Sequence, residues 1–226
     1  MVCRTCLGPA GTGFARCYQC DLALSQAGGL LADAVAPIGY AVRGEPLADD
    51  LRRYKSESVA PAEAAAAAGR LRAMLGAFLA GYGRSVWAAA GMSGGPSAVA
   101  VVPSGQGRPG AHPLAALVRA SVSLPMVRLS IAPREIHTRG VNPAWVRVCD
   151  PVAGADILVV DDTWVSGGSA QSTAAALKLA GAGRVAVVVL GRHVNPADPR
   201  SAAFLEAAKN SPHAVPWGAT ASSWRQ

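Results

Sequence analysis

Short apolar runs that alternate with segments of helical periodicity are the strongest constraint on the fold of this chain. The runs lie at 97–104, 156–162 and 184–191, and Gly, Pro or charged residues bound each of them. Strands that are apolar throughout are typical of a parallel sheet that helices cover on both faces. The sequence therefore predicts an α/β fold with a parallel sheet flanked by helices.

Other elements follow from the same patterns. Helices are predicted at 21–34, ending near Gly28, and at 46–55, 61–83, 112–121, 169–182 and 201–210. Weaker patterns predict a strand or hairpin at 37–44 and a strand at 126–131. The helix at 169–182 is expected to end at Gly181 or Gly183. Cys149 stands apart from the other cysteines and is expected to be a small buried residue.

The length of 226 residues and the 51% apolar content allow one α/β domain with a small accessory module. The net charge of +7 comes mainly from residues 61–150, which hold nine Lys and Arg against three Asp and Glu. This excess fits an anionic partner such as a phosphate compound or nucleic acid, but the basic residues are scattered, which also fits a solvated face. The apolar runs are too short to span a membrane and no signal peptide is recognisable, so a cytoplasmic protein without a membrane partner is expected.

Four cysteines in the first 20 residues form two pairs with Cys-x-x-Cys spacing. Cys3 and Cys6 make the first pair, Cys17 and Cys20 make the second, and ten residues lie between the pairs. Two such pairs can place four thiolates tetrahedrally around one cation. A structural zinc site without an open coordination position is therefore predicted, and a redox dithiol or two disulfides are the alternatives.

The segment ILVVDDTWVSGGSAQS, at 157–172, joins an apolar strand to a helix through a loop of small residues. Ligands of parallel sheets bind at the carboxyl ends of strands, where Asp161 and Asp162 are expected. The SGGS sequence at 166–169 offers backbone N–H groups at a helix N terminus, which suit a phosphate. Carboxylates would repel that phosphate but accept hydrogen bonds from sugar hydroxyls. A ribose 5-phosphate satisfies both halves, whereas a strand, N-cap and turn without a ligand is the simpler alternative.

The same segment resembles the motif with which type I phosphoribosyltransferases bind 5-phosphoribosyl 1-diphosphate (PRPP). Together with the cysteine pairs, it makes the chain similar to the ComF family, competence-associated proteins with a four-cysteine knuckle and a phosphoribosyltransferase-like domain. LRRYKS at 51–56 and VAVVPSGQGRPGAHPL at 99–114 resemble further stretches of that family. The resemblance covers roughly residues 1–195.

The resemblance implies a zinc knuckle at 1–25, a hood segment over the acceptor at 26–60 and a type I phosphoribosyltransferase-like α/β domain at 61–226. It assigns Asp161 and Asp162 to the ribose hydroxyls or to a Mg²⁺ ion held with PRPP. The other residues implied to contact PRPP are Thr163, Trp164, Val165, Ser166, Gly167, Gly168 and Ser169 around the 5-phosphate, and Pro103, Ser104, Gly105 and Arg108 around the pyrophosphate. Lys55 is a weak candidate for an acceptor contact, and a cation at a helix C terminus is its simpler interpretation.

The implied reaction transfers the 5-phosphoribosyl group to an unidentified nitrogen nucleophile and releases pyrophosphate. The second hypothesis is a non-catalytic protein that senses PRPP or binds nucleic acid, linked to DNA uptake and to a competence-machinery protein. A homodimer is compatible with either hypothesis. His112 and His193 have no catalytic partner nearby in the sequence and are expected to be structural or at the surface.

Two departures from the family pattern bear on catalysis. Val165 stands where the motif usually has Thr, and a valine cannot accept a proton, which argues against 6-oxopurine chemistry by that route. The segment at 132–145 differs from the mobile segment of the family. Its Arg134, His137 and Arg139 could close over pyrophosphate or could lie in an exposed loop.

Overall fold

The structure is a computed structural model of the 226-residue chain, and it describes residues 1–104, 112–131 and 140–209. Within these residues the chain forms seven β-strands and six α-helices. None of the helices in these ranges is both long enough and apolar enough to cross a membrane.

Five strands form one parallel sheet, which confirms the predicted α/β class. They are β1 (Ala34–Val42), β2 (Ala98–Val101), β3 (Met126–Val127), β6 (Ile157–Trp164) and β7 (Val185–Val194). Their order across the sheet is β1-β7-β6-β2-β3, and each neighbouring pair is parallel. Two short strands, β4 (Leu129–Ile131) and β5 (Val146–Val148), form a separate antiparallel pair.

Helices cover both faces of the sheet. One face packs against α2 (Pro46–Arg53), α3 (Pro61–Ala90) and α4 (Pro113–Arg119). The other face packs against α5 (Gly168–Leu179) and the cysteine segment that leads into α1 (Tyr18–Ala27). After β7, α6 (Pro199–Lys209) adds Phe204 to a smaller apolar cluster. The central strands β6 and β7 are buried on both faces, which explains why their sequences are apolar runs rather than alternating patterns.

α3 is longer than its periodicity predicts, because it continues past residue 83 to Ala90. Val86 and Ala90 extend the buried stripe of this helix toward its C terminus. Gly91 then ends the helix in the left-handed region, with a φ of 75°. Gly181 has the same function just after α5, with a φ of 93°, in agreement with the sequence prediction.

The segment at 126–131, predicted as one strand, is divided at Arg128. The backbone N–H of Arg128 donates to the Asp150 carboxylate at 2.7 Å, and its guanidinium forms an ion pair with the same group at 2.7 Å. β3 stays at the edge of the parallel sheet, while β4 pairs with β5 outside it. Cys149 follows β5 and is exposed, so the expectation that it is buried was wrong.

The order of the strands reverses between β2 and β6. β3 follows β2 in the sequence and lies on one side of it, whereas β6 lies on the other side and is followed by β7. Val101 of β2 pairs with Val160 of β6, so β2 ends beside Asp161, while β6 continues to Trp164 in its pairing with β7. Parallel sheets bind ligands at the carboxyl ends of the strands where the strand order reverses in this way.

The segment at 26–60 does not form a separate layer. β1 pairs with β7 as an edge strand of the parallel sheet, and α2 packs on both of these strands. The cysteine segment likewise continues into α1, which contains Cys20 and ends at Ala27. The division of the chain at residues 25 and 60 stays a prediction.

Candidate functional site

A cavity of about 310 Å³ opens at the crevice between the carboxyl ends of β2 and β6. Its walls come from the ends of β2 and β6, the loop between β6 and α5, the turn after α2 and the start of α4. The lining residues are Lys55, Val102, Pro103, Ser104, His112, Asp161, Asp162, Thr163, Val165, Ser166, Gly167, Gly168 and Ser169. These include the sequence-predicted PRPP and acceptor residues that the structure describes, with the exception of Trp164. Gly105, Arg108, Arg134, His137 and Arg139 lie outside the described residues.

Asp161 and Asp162 line this cavity near the end of β6. The backbone N–H of Asp162 donates to Oδ1 of Asp161 at 2.9 Å. Burial, followed by the negative charge of Asp162, raises the pKa of Asp161 to about 8. The raised pKa favours the protonated form of Asp161 in the ligand-free site, and a partner that needs a second carboxylate must displace that proton.

Two side chains from the turn after α2 contact one oxygen of Asp162. The Tyr54 hydroxyl donates to Oδ2 at 2.6 Å, and Lys55 Nζ lies 2.6 Å from the same atom. Lys55 thus lies at the cavity, although a cation at a helix C terminus was its simpler interpretation. Nothing in the sequence pattern pointed to Tyr54, because it lies 108 positions from its partner.

An ion pair between α2 and α3 holds the turn that carries these side chains. Nε and Nη2 of Arg70 donate to the two carboxylate oxygens of Asp50 at 2.8 and 2.6 Å. The hydrogen bonds from Arg70 lower the pKa of Asp50. A bidentate pair fixes orientation as well as distance, so it helps to set the position of Tyr54 and Lys55.

Residues 165–169 join β6 to the first turn of α5 and are hereafter called the phosphate loop, after the ligand group proposed for them below. Gly167 is the N-cap of α5 and adopts the left-handed conformation, with φ of 84° and ψ of −1°. The Ser166 hydroxyl accepts a hydrogen bond from the Gly168 N–H at 3.3 Å. The first N–H groups of a helix have no carbonyl partner inside it, so this end of α5 suits an anion.

Trp164 lies behind the phosphate loop and does not line the cavity. Its side chain is 1% exposed, and a Cβ added at Gly167 would lie 2.1 Å from Cζ2 of its ring. Position 167 therefore needs glycine both for its positive φ and for its close approach to the indole. The ring supports the loop from behind, and the expected contact of Trp164 with PRPP stays a prediction.

His112 lies at the cavity wall and caps α4. Its Nδ1 accepts a hydrogen bond from the Leu114 N–H at 3.2 Å, and Pro113 occupies the first turn. The expected structural role of His112 agrees with this cap. Its place beside the cavity was not foreseen, although a polar residue before Pro at a helix start is a recognisable N-terminal pattern.

The four N-terminal cysteines converge as predicted. Their sulfur atoms all lie within 4.8 Å of one another, and those of Cys6 and Cys17 are 3.8 Å apart. A tetrahedral zinc site with Zn–S bonds of about 2.3 Å places its sulfurs about 3.8 Å apart. Hydrogen bonds with neighbouring thiols, that of Cys17 first, lower the pKa of Cys3 and raise that of Cys20. The donor set and its spacing therefore fit a zinc ion.

The cysteine knuckle, residues 1–20, is packed into the main core. Cys3, Cys6 and Cys20 are buried in the same apolar cluster as Trp164 and residues of the central strands. The cysteine cluster and the sheet therefore share one core, so a change in the packing of the knuckle should also affect the residues that support the phosphate loop.

Arg192 connects the knuckle to the end of β6. The residue is 8% exposed, and its Nε donates to Cys6 Sγ at 3.4 Å. Its Nη1 donates to the carbonyl oxygens of Trp164 and Val165 at 3.0 and 3.2 Å. Burial is the largest single influence and opposes its charge, but the combined interactions with Cys6, Cys17 and Cys20 outweigh burial and raise the pKa of Arg192. The apolar run that predicts this strand ends at residue 191, so no signal in the sequence marked Arg192.

Comparison with known proteins adds little to this geometry. A scan against protein-family models finds no match, and a search of the curated proteins finds no significant match. Among solved structures, the chain is similar to the crystal structure of a purine phosphoribosyltransferase from Pyrococcus horikoshii, with 15% identity and a TM-score of 0.27. The match covers 51% of this chain and 87% of that chain. A similarity this weak carries no argument about the site, so the site must be interpreted from its own residues.

Proposed function

We propose that the protein binds PRPP in the cavity between β2 and β6 and transfers its 5-phosphoribosyl group to a nitrogen nucleophile. The observation that carries this proposal is the meeting of an acidic strand end and a phosphate loop in one cavity of about 310 Å³. A cavity of that size at a switch point suits a small phosphorylated ligand. The sequence resemblance to type I phosphoribosyltransferases and to the ComF family agrees with it.

The cavity residues form groups that would contact different parts of PRPP. The serines and glycines at 166–169 would hold the 5-phosphate through hydroxyl and backbone N–H donors. Asp161 and Asp162 would accept hydrogen bonds from the ribose hydroxyls one sugar ring away. Pro103 and Ser104 lie at the end of β2, where the pyrophosphate would enter.

The acidic pair fits a Mg²⁺ ion that arrives with PRPP. Mg²⁺ is usually held by one or two protein carboxylates together with substrate phosphates, and this cavity offers two carboxylates. Among the described residues, the cysteines form the only group of three or more potential metal ligands, so PRPP itself would complete the magnesium site. The ion would neutralise charge on the pyrophosphate as it leaves.

The proposed reaction exchanges one bond at C1 of the ribose. The C1–O bond to pyrophosphate breaks, the nucleophile's nitrogen forms a C1–N bond, and the nitrogen loses a proton to solvent or to a nearby base. Asp161 and Asp162 would hold the ribose while positive charge develops at C1. Lys55 lies beside them as the cation that pairs with Asp162. Positioning and charge neutralisation are the contributions that these residues can supply.

The acceptor would bind in a space that adjoins the PRPP cavity. A second cavity, of about 200 Å³, is lined by Ala41, Ala48, Leu51, Arg52, Lys55, Thr163 and His193. It shares Lys55 and Thr163 with the PRPP cavity, and its other walls are mainly from the segment predicted to be the hood. Its size suits a small nucleophile, which would meet both apolar and basic side chains there.

A non-catalytic PRPP sensor is the second candidate, and one observation favours it. Tyr54 and Lys55 both contact the Asp162 oxygen that a ribose hydroxyl or Mg²⁺ would use. A lysine in this place can balance the carboxylate without a metal ion, so binding would not require Mg²⁺. Binding of nucleic acid, of a competence-machinery protein or of a second copy stays a prediction from the family resemblance.

The test is calorimetric titration of the zinc-loaded chain with PRPP, with and without Mg²⁺. Binding that needs Mg²⁺, and that is lost in the double variant Asp161→Asn/Asp162→Asn, is the expected result. Absence of PRPP binding to folded protein would refute both candidates. A panel of nitrogen nucleophiles, assayed for pyrophosphate release, then separates them, because a sensor binds PRPP and releases none.

A further inference from the structure

One buried guanidinium joins the cysteine knuckle to the phosphate loop. Arg192 Nε donates to Cys6 Sγ at 3.4 Å, while its Nη1 donates to the Trp164 and Val165 carbonyls at 3.0 and 3.2 Å. Nη1 also donates to the carbonyl of its own neighbour His193 at 2.6 Å. A side chain held by acceptors on three segments of a close-packed core moves only when one of those segments moves.

The turn that presents Cys3 and Cys6 is the same turn that covers Arg192. The Cys3 N–H donates to the Gly8 carbonyl at 2.8 Å, and the Leu7 N–H donates to the Cys3 carbonyl at 3.0 Å. A Cβ added at Gly8 would lie 2.6 Å from Nε of Arg192, so the backbone of the turn rests on the guanidinium. Metal ligation at the cysteines therefore restrains the surface on which Arg192 packs.

A second connection runs from α1 to the other end of the phosphate loop. Oε1 of Gln26, in the last turn of α1, accepts a hydrogen bond from the Val141 N–H at 2.9 Å. The neighbouring Gly140 carbonyl lies against Gly168, where an added Cβ would be 2.6 Å from the oxygen. Because α1 is capped by Cys17, the cysteine cluster also restrains this contact.

We propose that Arg192 is a positioning residue through which metal in the cysteine knuckle sets the geometry of the phosphate loop, so that zinc and PRPP bind cooperatively. The inference rests on the proposed function, since it places a phosphate of PRPP in that loop. With zinc bound, the Cys6 turn is fixed, and four thiolates with Zn²⁺ supply a net charge of about −2 beside the guanidinium. Without the metal the turn is released, and Arg192 no longer holds the Trp164 and Val165 carbonyls in place.

Coupling of this kind has the same size in both directions. If zinc tightens PRPP binding by a given factor, PRPP must tighten zinc binding by that factor. We expect a factor of about ten, within the range that coupled sites usually show. The reciprocity allows the proposal to be tested on the unmodified chain through zinc affinity alone, without any assay of catalysis.

The experiment measures the zinc dissociation constant of the full chain by competition with a zinc-selective chromophoric chelator, with and without saturating PRPP and Mg²⁺. PRPP is expected to tighten zinc binding about tenfold. Arg192→Lys keeps the charge but loses the planar fork, so both ligands should still bind while the coupling falls toward unity. Arg184→Lys is the matched control, because Arg184 lies beside the opposite end of β7 and pairs with Asp33 at 3.3 Å.

The outcomes distinguish this proposal from the proposed function. The double variant Asp161→Asn/Asp162→Asn reports any direct chelation of zinc by PRPP. If the wild-type chain does not bind PRPP, the proposed function fails and the coupling falls with it. If it binds both ligands and PRPP leaves zinc affinity unchanged, the coupling is overturned while the proposed function stands.

The role of Arg192 itself is tested separately. Full coupling retained in Arg192→Lys would overturn its role as the positioning residue. Should that variant not fold, hydrogen exchange of the Val165 and Ser166 amides in the wild-type chain replaces it. Faster exchange after zinc removal, with the sheet amides still protected, supports the proposal, and unchanged exchange overturns it.

Discussion

Asp161 keeps a proton that aspartates usually lose well below neutral pH. Its position near the end of a buried strand, beside a second carboxylate, raises its pKa from the ordinary 3.8 to about 8. An acid with a raised pKa in the folded state favours unfolding once the unfolded chain can ionise it. This loss of unfolding free energy is absent below pH 3.8, grows as the pH rises, and is complete above about pH 8.

Asp161→Asn should therefore stabilise the chain increasingly as pH rises. The asparagine oxygen can still accept the Asp162 N–H, but it has no proton to lose. Relative to wild type, we expect the variant to gain roughly 2–4 kcal/mol in unfolding free energy between pH 4 and pH 9. Urea denaturation at saturating zinc measures this difference.

Asp198→Asn is the matched control for that pH series. Hydrogen bonds from Arg200 lower the pKa of Asp198, so this exposed group is ionised in both states above pH 5. Its substitution should give a difference from wild type that does not change between pH 5 and pH 9. Equal pH slopes for wild type and Asp161→Asn would contradict the raised pKa of Asp161.

Gly167→Ala tests the support of the phosphate loop. The substitution places a methyl group against Trp164 at a position with a φ of 84°, so both strain and a steric clash oppose it. We expect a loss of about 2–4 kcal/mol in stability and about tenfold weaker PRPP binding. Denaturant unfolding and PRPP titration measure the two effects.

Gly44→Ala separates backbone strain from the clash. Gly44 has a φ of 89°, but an added Cβ there meets nothing within 4 Å. This variant should lose only about 1–2 kcal/mol and bind PRPP as wild type does. If Gly167→Ala behaved in the same way, the packing of Trp164 under the loop would not matter for the site.

The α2–α3 pair shows how elements distant in sequence complete the site. α2 ends just before Tyr54 and Lys55, and Asp50 ties it to Arg70 on the long helix α3. The cavity therefore depends on an ion pair whose partners do not touch the cavity. Its effect should be seen in ligand binding as well as in stability.

Arg70→Gln should loosen α2 and thereby move Lys55 away from Asp162. We expect the thermal midpoint to fall by about 2–4 °C and PRPP affinity to fall several-fold. Arg72→Gln, on the same helix and also exposed, is the control and should change neither quantity. Equal PRPP affinities in the two variants would show that the α2–α3 ion pair does not position Lys55.

For the molecule as a whole, the knuckle and the sheet share one core, so they should unfold together. Cys17→Ser removes one metal ligand and should lower the midpoint of the entire chain in a single transition. Zinc at 100 times its dissociation constant would supply about 2.7 kcal/mol to wild type by mass action. Circular dichroism at far-ultraviolet and near-ultraviolet wavelengths, with zinc release recorded in parallel, measures this.

Cys149→Ser is the matched cysteine control. Cys149 is exposed and lies outside the four-cysteine cluster, so its loss should leave the midpoint and the zinc content unchanged. Release of zinc from wild type well before the sheet unfolds would show that the knuckle is an independent unit.

Features encoded by neighbouring residues could be predicted well from the sequence. The apolar runs predicted the parallel sheet because buried strands have a recognisable local composition. The helix predicted at 61–83 ends too early because small residues and a charge obscure the helical periodicity of the last two turns of α3. The strand at 126–131 was predicted undivided because the Asp150 carboxylate that binds Arg128 lies 22 residues away.

The sequence by itself determined the four-cysteine cluster and the succession of acidic strand end, phosphate loop and helix, since each is built from short contiguous segments. Tertiary structure decided which side chains complete the site. Lys55 lies 107 positions from Asp162, and Arg192 lies 186 positions from Cys6. Such contacts, and the protonation of Asp161 that burial produces, depend on strand order and packing, which leave no local pattern in the chain.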